Sequence, residues 1–464
     1  MVTFPWFLPY LFALLFGIIA LLLLVMVFVK PKPRTHGAAR WARPGDLKAL
    51  VSENGPVIGR DERGRLLRAP GDAPLLAAAP ARSGKGSGFI IPTLLTYTGS
   101  IIIIDPKGEA ARVTREHRAT IGEVFIVDPF GASVPAERAA RYNPLDALIG
   151  SPAMIEEAFK LADAICPVGA RENEHFTSTA RTLIRAILLH VVASAASDNR
   201  NLNAVRAILN LPAEAFAAEL EEMAASDLPA ISGPARQQLA RDPREGASVL
   251  STAARATEWL DSPAVARSLS ASDFSFHDLK NRPGAIYIVI PTPYMGAFGK
   301  WLRLLTVSVL SDFTRTPAPG PTGHCLFMID EAAALGRLDE LQTANAVLPG
   351  YGLRLWTFWQ DLSQIEEAYG GAWQSFLASA DTQIYFDVND QMTCEEISGM
   401  IGNETVVIGT GNNAQRISRP LLAPELVRQE KRVIVFRRGQ RPLRLRKIRW
   451  FADTEFKHLG EDER

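Results

Sequence analysis

The chain opens on a long apolar stretch. Residues 1 to 29 contain no charged side chain, and Tyr10 to Val29 consists almost wholly of leucine, isoleucine, valine, phenylalanine and alanine. At about 1.5 Å per residue, twenty helical residues span roughly 30 Å, the thickness of a bilayer's hydrocarbon core. Neither a basic n-region nor an A-x-A-like cleavage site is present, so the stretch is predicted to remain as a transmembrane anchor. A buried core helix is the alternative.

Basic residues follow the apolar stretch directly, whereas none precede it. They are Lys30, Lys32, Arg34, Arg40 and Arg43. Positive charge marks the cytoplasmic flank of a membrane span. The sequence therefore predicts one span, an N-terminus outside and the main body in the cytoplasm.

From about residue 70, short β-branched runs alternate with helical stretches, which is typical of a mostly parallel sheet covered on both faces. Polar residues follow several of these runs, including Asp105, Asp128, Asp330 and Gln360. In an open α/β sheet the ligand site lies at the carboxyl ends of the strands. Each polar residue alone could be a simple strand terminator. The predicted strands are Ser100–Ile104, Val124–Val127, Ala285–Ile290, Leu326–Ile329, Leu353–Phe358 and Thr382–Phe386.

The region from about 150 to 275 has no strand pattern. Apolar residues recur there at spacings of three and four, as in the stripe from Phe176 to Val191, which predicts an inserted all-α domain. Residues 151 to 270 carry 15 acidic and 11 basic side chains, so a broad basic DNA footprint is absent. Two functions fit this region: recognition of another protein, and a helical cap over the rest of this protein.

Composition fits a sizeable protein with two or three domain cores, since the chain has 464 residues of which 47% are hydrophobic. The formal net charge is zero, so any polyanion must bind a local patch. The three cysteines form no C-x-x-C pair, which argues against a disulfide scaffold or structural zinc and suits a reducing cytoplasm.

A run of small residues around Lys85 is the main candidate for chemistry. A predicted strand, Pro74 to Ala79, precedes it and a helix can begin at Gly88, so phosphate oxygens would meet free backbone N–H groups at a helix N-terminus. Ala79 and Gly86 depart from the G-x-x-x-x-G-K-[ST] pattern, and Ser87 is the candidate for the missing magnesium-binding hydroxyl. An ordinary glycine-rich turn is the alternative. The predicted nucleotide-binding residues are Pro80, Ala81, Arg82, Ser83, Gly84, Lys85, Gly86 and Ser87.

A second candidate site follows the apolar run Cys325 to Ile329. Asp330 would hold Mg²⁺ and Glu331 would polarise the attacking water, as in enzymes that cleave nucleoside triphosphates. An apolar strand that ends in two acids is common by itself. The order of the two sites along the chain favours nucleotide hydrolysis.

A basic run lies near the end of the sequence, with ten Lys or Arg residues and one acid, Glu430, between Arg428 and Arg449. The segments Val433–Phe436 and Leu443–Ile448 are predicted to form a β-hairpin around Gly439. Protection of a sheet edge by charge, anionic lipid and nucleic acid are the three interpretations left open.

Several short segments, in one order from about Thr35 to Phe456, match one known family. They are Gly37-Ala38-Ala39-Arg40-Trp41, Arg82-Ser83-Gly84-Lys85-Gly86, Ile91-Pro92-Thr93-Leu94-Leu95, Asp105-Pro106-Lys107-Gly108-Glu109, Tyr142-Asn143-Pro144-Leu145, Ile329-Asp330-Glu331 with Leu335-Gly336, Tyr351-Gly352-Leu353 with Gln360 and Ser363-Gln364, and Arg419-Pro420-Leu421-Leu422. Through these segments the chain resembles the type IV secretion coupling proteins, the TraG-type conjugative DNA-transfer ATPases. The Gly-Lys-Gly variant at Gly84 to Gly86 is familiar in that family.

The resemblance implies an α/β fold, with a RecA-like P-loop NTPase core that is interrupted by the all-α domain. It implies a homo-hexamer in the bacterial inner membrane that uses ATP and Mg²⁺. Its partners would be a relaxase–DNA complex or protein effectors, inner-membrane channel components of the secretion system, and membrane lipid. Lys85 would bind the phosphates, Asp330 would organise Mg²⁺, Glu331 would activate water, and Gln360 would sense the γ-phosphate.

The predicted domains are a transmembrane anchor (1–30), a juxtamembrane segment (31–70), a nucleotide-binding domain in two parts (71–150 and 276–464, the second with the basic hairpin) and the all-α domain (151–275). Relatives usually have two membrane helices and some have a longer tail, whereas this sequence has one span and ends soon after the hairpin. The arginine finger is unassigned, with Arg354 and Arg419 as weak candidates. Two alternatives stay open: export of protein effectors, and a nucleotide-binding substrate receptor with little turnover.

Overall fold

The computed structural model describes residues 14–19, 36–167, 174–317, 319–321, 323–409 and 413–461. Two compact units are present. The larger comprises Trp41–Cys394 and Glu425–Arg464, and the smaller comprises Met1–Arg40 and Glu395–Pro424.

Thirteen strands lie in the described residues. Their central members are continuous apolar runs, such as Ile101 to Ile104, because parallel strands buried on both faces need no polar alternation. The strands are β1 (Val57–Arg60), β2 (Leu66–Arg68), β3 (Leu75–Ala78), β4 (Ile101–Asp105), β5 (Glu123–Val127), β6 (Gly284–Val289), β7 (Cys325–Asp330), β8 (Leu353–Trp359), β9 (Thr382–Tyr385), β10 (Asn403–Ile408), β11 (Gln415–Pro420), β12 (Val433–Arg437) and β13 (Leu443–Leu445).

Nine strands form the sheet of the larger unit, in the order β13-β12-β9-β3-β8-β7-β4-β6-β5. The seven from β9 to β5 are parallel, and β12 and β13 add antiparallel at one edge. The mostly parallel α/β sheet predicted from the sequence is confirmed. All seven strand segments predicted between residues 74 and 386 are present, with boundaries shifted by one or two residues.

Helices make the connections between parallel strands, because a parallel pair needs a long crossover connection. The α-helices are α1 (Ile91–Thr96), α2 (Glu109–Ala119), α3 (Met154–Ile165), α4 (Glu174–Ser194), α5 (Leu202–Leu209), α6 (Ala213–Ala224), α7 (Pro229–Leu239), α8 (Pro243–Ala256), α9 (Pro263–Ser268), α10 (Thr292–Thr314), α11 (Asp339–Val347), α12 (Leu362–Tyr369), α13 (Trp373–Ser379), α14 (Gln391–Ile401) and α15 (Pro424–Val427).

The described secondary structure between β5 and β6 is entirely helical. Helix α4 lies at its centre and packs against α3, α7 and α8. Its apolar stripe includes Leu183, Ile184 and Ile187, and all three side chains are buried.

One described helix, His175–Ser194, is long and apolar enough to cross a bilayer, and 56% of that window is buried within the protein. This burial is typical of a core helix. The predicted span Tyr10–Val29 lies outside the described residues except for 14–19, which are helical and exposed.

The predicted basic hairpin is present as β12 and β13 at one edge of the sheet. Several of its basic side chains bind carboxylates of the same chain, and Arg444 also lies over the ring of Trp41 at 4.9 Å. Part of the charge of this run therefore holds the sheet edge in place. The ion pairs are Arg437 with Asp381, Arg444 with Glu430 and Lys447 with Asp387.

The smaller unit contains the antiparallel pair β10 and β11, which the sequence reasoning did not predict as strands. Ala38 forms a bridge to Glu404, so the segment that precedes Trp41 adds to the outer edge of β10.

Candidate active site

Four neighbouring strands, β3, β8, β7 and β4, end at the same edge of the sheet. The chain leaves β3 through the turn Ala79–Lys85 and enters a π-helical turn, Gly86–Ile90, which continues into α1. Asp330 ends β7, Gln360 follows β8, and Asp105 ends β4. The parallel order thus brings side chains from four distant parts of the sequence to one place.

The turn after β3 has the backbone of a phosphate-binding loop. Gly84 has a φ of 94°, a left-handed conformation that a side chain would strain, and its carbonyl accepts a hydrogen bond from the Gly88 N–H at 2.8 Å. The Ser83 hydroxyl is buried and has no hydrogen-bond partner among the described residues. A buried hydroxyl without a protein partner is available to bind a phosphate oxygen, because buried polar groups are stabilised by a hydrogen bond.

Lys85 lies beside the acidic pair, Asp330 and Glu331. Its Nζ is 3.8 Å from Oδ1 of Asp330 and 3.9 Å from Oε2 of Glu331. These distances are longer than a direct hydrogen bond, and the lysine side chain is only 11% exposed. The two sites that the sequence places about 245 residues apart therefore meet in the folded chain.

Glu331 has an unusual backbone conformation. Its φ is 89°, in the left-handed region that disfavours residues with a Cβ atom. Gln360 is its neighbour from the next strand, with Nε2 at 3.3 Å from both carboxylate oxygens. Strain of this kind is common where a side chain must be aimed at a ligand.

The carboxyls of Asp330 and Asp105 lie in an environment that disfavours their charged forms. Burial raises the pKa of Asp330 to about 6; the Lys85 ammonium opposes this rise and the Glu331 carboxylate adds to it. Burial also raises the pKa of Asp105 to about 6, although the Ala111 N–H donates to its carboxylate. A cation beside them would stabilise both charged forms.

A cavity of about 170 Å³ lies between the turn and the strand ends. Beyond the predicted residues it is lined by Asp105, Lys107 and Glu109, and Ser87 and Asp330 face the same space. Asp105 was predicted to lie at the ligand-binding edge of the sheet, whereas Lys107 and Glu109 were matched only as part of a family motif. Their signal was the polar segment Asp105 to Glu109 directly after a buried strand.

The residues present fit a nucleotide with Mg²⁺. The orphaned Ser83 hydroxyl, the glycine turn and Lys85 suit phosphate oxygens, and Asp330 and Ser87 supply oxygen ligands. Within the described residues, no cluster of three or more His, Cys, Asp or Glu side chains forms a metal site. Mg²⁺ is commonly held by one or two protein oxygens together with water and phosphate.

The two weak candidates for an arginine finger have different surroundings. Arg354 is 2% exposed, and it donates to the carbonyl oxygens of Ala69 and Ala73. A guanidinium held in this way supports the fold and cannot reach a neighbouring subunit, so Arg354 is excluded. Arg419 is exposed on β11 and pairs with Glu404 at 3.0 Å.

Comparison with known proteins relates the chain to conjugative DNA transfer. The family described as Type IV secretory system Conjugative DNA transfer matches residues 40–463. Protein VirD4 of Rhizobium rhizogenes is 31% identical over 457 residues, covering 92% of this chain and 67% of that protein. Conjugal transfer protein TraG of Escherichia coli is 29% identical over 449 residues, covering 84% of this chain and 70% of TraG.

Solved structures share the fold. The bacterial conjugative coupling protein TrwBdeltaN70, in its unbound monoclinic form, has a TM-score of 0.67 at 18% identity, covering 88% of this chain and 92% of that one. The plasmid coupling protein TrwB in complex with ADP and Mg²⁺ has a TM-score of 0.66 at 17% identity, covering 88% and 93%. Because the family match extends over most of the sequence, the chain belongs to the type IV secretory system conjugative DNA transfer family.

Proposed function

We propose that this protein is a membrane-anchored, ATP-hydrolysing coupling protein that recruits relaxase-bound single-stranded DNA and drives it into a type IV secretion channel. It would work as a homo-hexamer in the bacterial inner membrane. The observation that carries the proposal is the position of Lys85, within 4 Å of both Asp330 and Glu331.

Each side chain has a proposed role that its position supports. The backbone N–H groups of residues 81–87 and the Lys85 ammonium bind and neutralise the phosphates. Asp330 and the Ser87 hydroxyl hold Mg²⁺, which when bound supplies positive charge to the phosphate oxygens. One cavity is lined by Arg82, Gly84, Lys85, Gly86, Ser87 and Asp330.

Glu331 accepts the proton of the attacking water. Its carboxylate lies 3.9 Å from the Lys85 Nζ, and it lines a second cavity together with Lys85 and Gln360. Gln360 donates to that carboxylate when no nucleotide is bound. With a nucleotide bound, the same amide is in position to contact the γ-phosphate. This contact would couple the presence of the γ-phosphate to the end of strand β8.

The domain organisation is also a proposal. Residues 1–30 form a single-pass anchor, 31–70 a juxtamembrane segment, 71–150 and 276–464 the motor, and 151–275 an all-α domain that contacts cargo. The entirely helical structure between β5 and β6 supports an inserted domain. The relatives named for conjugal transfer support DNA as the cargo.

Hydrolysis by the full-length protein, with and without single-stranded DNA, tests the proposal together with plasmid transfer between cells. Lys85→Ala and Glu331→Gln should abolish turnover and transfer, while the protein stays folded and bound to the membrane. Lys457→Ala and Glu366→Gln are matched controls, because both residues are exposed and neither lines the cavity.

The two alternatives correspond to separate outcomes. Transfer that survives Glu331→Gln would indicate a nucleotide-binding receptor with little turnover. Intact hydrolysis with no DNA stimulation and no plasmid transfer would indicate a motor for protein effectors.

A further inference from the structure

Two neighbouring cavities lie at the carboxyl edge of the sheet. The first, of about 170 Å³, contains the phosphate loop, and the second, of about 490 Å³, contains Glu331 and Gln360. Three of the side chains that line both cavities belong to the proposed nucleotide site, whereas the fourth, Lys107, has no assigned role. The shared side chains are Arg82, Lys85, Lys107 and Asp330.

The sheet brings Lys107 to this position from β4. Strand β4 pairs in parallel with β7, and its register places Ile104 beside Ile329, one residue before the terminal aspartate of each strand. Lys107 follows two residues after the end of β4. The phosphate loop with Lys85 follows β3, which lies on the other side of β7 in the sheet. The two lysines therefore reach the cavities from strands on opposite sides of β7.

The turn that carries Lys107 is fixed by contacts of its backbone. The Lys107 N–H donates to the Asp105 carboxylate at 3.3 Å, and the Arg112 guanidinium donates to the Lys107 carbonyl at 3.2 Å. The next residue, Gly108, has a φ of 66°, and a Cβ atom there would lie 3.0 Å from Cβ of Ser133. A backbone held in this way limits the positions that the lysine side chain can reach, as a preorganised site requires.

The side chain of Lys107 is exposed, in contrast to its bound backbone. It forms no ion pair with a carboxylate of the described residues. Burial raises the pKa of Asp330 to about 6, and the positive charge of Lys107 is among the groups that oppose this rise. The ammonium therefore acts on the interior of the cavity and is available to bind an anion.

The position of Lys107 between the cavities selects one part of the nucleotide. The loop binds the phosphates from the first cavity, and Glu331 acts on the attacking water from the second. The phosphate that is attacked must lie where both can reach it, which is beside the side chains that the cavities share. A diphosphate has no phosphate at that point.

We propose that Lys107 is a second lysine of the active site, which binds the terminal phosphate of ATP and stabilises the charge on its oxygens during hydrolysis. Water forms a bond to the terminal phosphorus, the bond to the β-phosphate oxygen breaks, Glu331 takes the water proton and ADP leaves. Lys107 keeps its own proton throughout. Because it belongs to the same chain as the loop, this contact needs no residue of a neighbouring subunit. The inference rests on the proposed nucleotide site, and it is independent of the cargo and of the membrane anchor.

The test compares the affinities of the full-length protein for ADP and for a non-hydrolysable ATP analogue, both with Mg²⁺, by titration calorimetry. Lys107→Ala should bind the analogue about 10- to 100-fold more weakly, because one hydrogen bond between charged groups is lost. Its affinity for ADP should change by less than about twofold, and retained ADP binding shows that the variant is folded.

Two further variants separate charge from shape. Lys107→Gln keeps most of the length of the side chain without its charge and should show the same selective loss. Lys107→Arg keeps the charge and should recover most of the affinity for the analogue. Lys457→Ala is the matched control, since Lys457 is exposed and lines neither cavity. Single-turnover hydrolysis at saturating ATP should be about 100-fold slower in Lys107→Ala.

Equal losses of affinity for ADP and for the analogue would overturn the contact, because Lys107 would then only balance the carboxylates of the cavity. Unchanged affinity for both nucleotides, with an unchanged rate of hydrolysis, would overturn it as well. Failure of the proposed function gives a different result. Wild-type protein that binds the analogue without hydrolysing ATP contradicts hydrolysis, and the two affinities still decide the role of Lys107. Wild-type protein that binds neither nucleotide overturns both proposals.

Discussion

Gln360 binds the carboxylate of Glu331 through one amide nitrogen, Nε2, which is 3.3 Å from each carboxylate oxygen. The two residues directly follow neighbouring strands, β8 and β7, so the sheet itself sets their separation. The Gln360 N–H donates to the Gln364 side chain at 2.9 Å, which holds the backbone at this point. The phosphate loop follows β3, the strand on the other side of β8. Gln360 therefore lies between the loop and the acidic pair.

This position predicts that Gln360→Ala lowers the rate of ATP hydrolysis with little change in nucleotide affinity. Loss of the amide that contacts the γ-phosphate should lower kcat by about 100-fold, whereas the loop and Lys85 still hold the nucleotide. Steady-state hydrolysis and equilibrium binding of a fluorescent ATP analogue measure the two quantities. Gln374→Ala on α13 is the control, because Gln374 is exposed and does not line the cavity. Equal losses of kcat and affinity would contradict a role in the chemical step.

The left-handed backbone at Glu331 predicts a difference between two inactive variants. Glu331→Gln keeps the strain, whereas Glu331→Gly removes the Cβ atom that causes it. We expect Glu331→Gly to unfold at a higher temperature, with a gain of about 1 kcal/mol in free energy of unfolding. Thermal melting of both proteins without nucleotide measures this difference. A glycine variant that melts at or below the glutamine variant would contradict stored strain at this site.

The unpartnered hydroxyl of Ser83 predicts an effect that depends on the ligand. Ser83→Ala should leave the stability of the nucleotide-free protein unchanged or slightly raised, because no hydrogen bond is lost. The affinity of this variant for ATP should fall by about fivefold, which corresponds to the loss of one hydrogen bond worth about 1 kcal/mol. Titration calorimetry measures the affinity. Ser248→Ala is the control, since the Ser248 hydroxyl bonds within α8 to the Arg244 carbonyl. Unchanged affinity would exclude a phosphate contact for Ser83.

Much of the sheet was predictable because its strands are continuous apolar runs. A segment such as Ile101 to Ile104, bounded by a glycine-serine pair and an aspartate, has few other possible structures. The meeting of Lys85 with Asp330 also followed from general rules, since parallel strands bring their carboxyl ends to one edge. Local sequence was sufficient for both conclusions.

Features that depend on distant contacts were not predictable. The β10–β11 hairpin contains few buried residues, and its pairing with His36–Ala39 spans more than 360 positions of the sequence. Arg354 lies in an apolar strand, and only the fold shows that the carbonyls of Ala69 and Ala73 bind it. The carboxylates that pair with the basic side chains of the β12–β13 hairpin could likewise be identified only from the folded structure.

The close contact between Gly37 and Asn403 predicts that one added methyl group disturbs the smaller unit. Gly37→Ala places a Cβ atom 2.2 Å from the Asn403 carbonyl oxygen, so the segment must move away from β10. We expect a local cost of about 1–3 kcal/mol and faster amide hydrogen exchange in β10 and β11. Gly45→Ala is the matched control, because a Cβ atom there meets nothing within 4 Å. Unchanged amide hydrogen exchange in β10 would contradict the prediction that the segment His36–Ala39 stabilises the β10–β11 pair.

A double-mutant cycle on hydrolysis of radiolabelled ATP under single-turnover conditions tests most directly whether the Lys85 loop and the acidic pair act on one triphosphate. The variants are Lys85→Ala, Glu331→Gln and the two combined. Residues that act together on one substrate are strongly non-additive. We predict that the combined variant is no slower than the slower single variant. Losses that multiply in the combined variant would show that the two sites act independently, and would contradict the account.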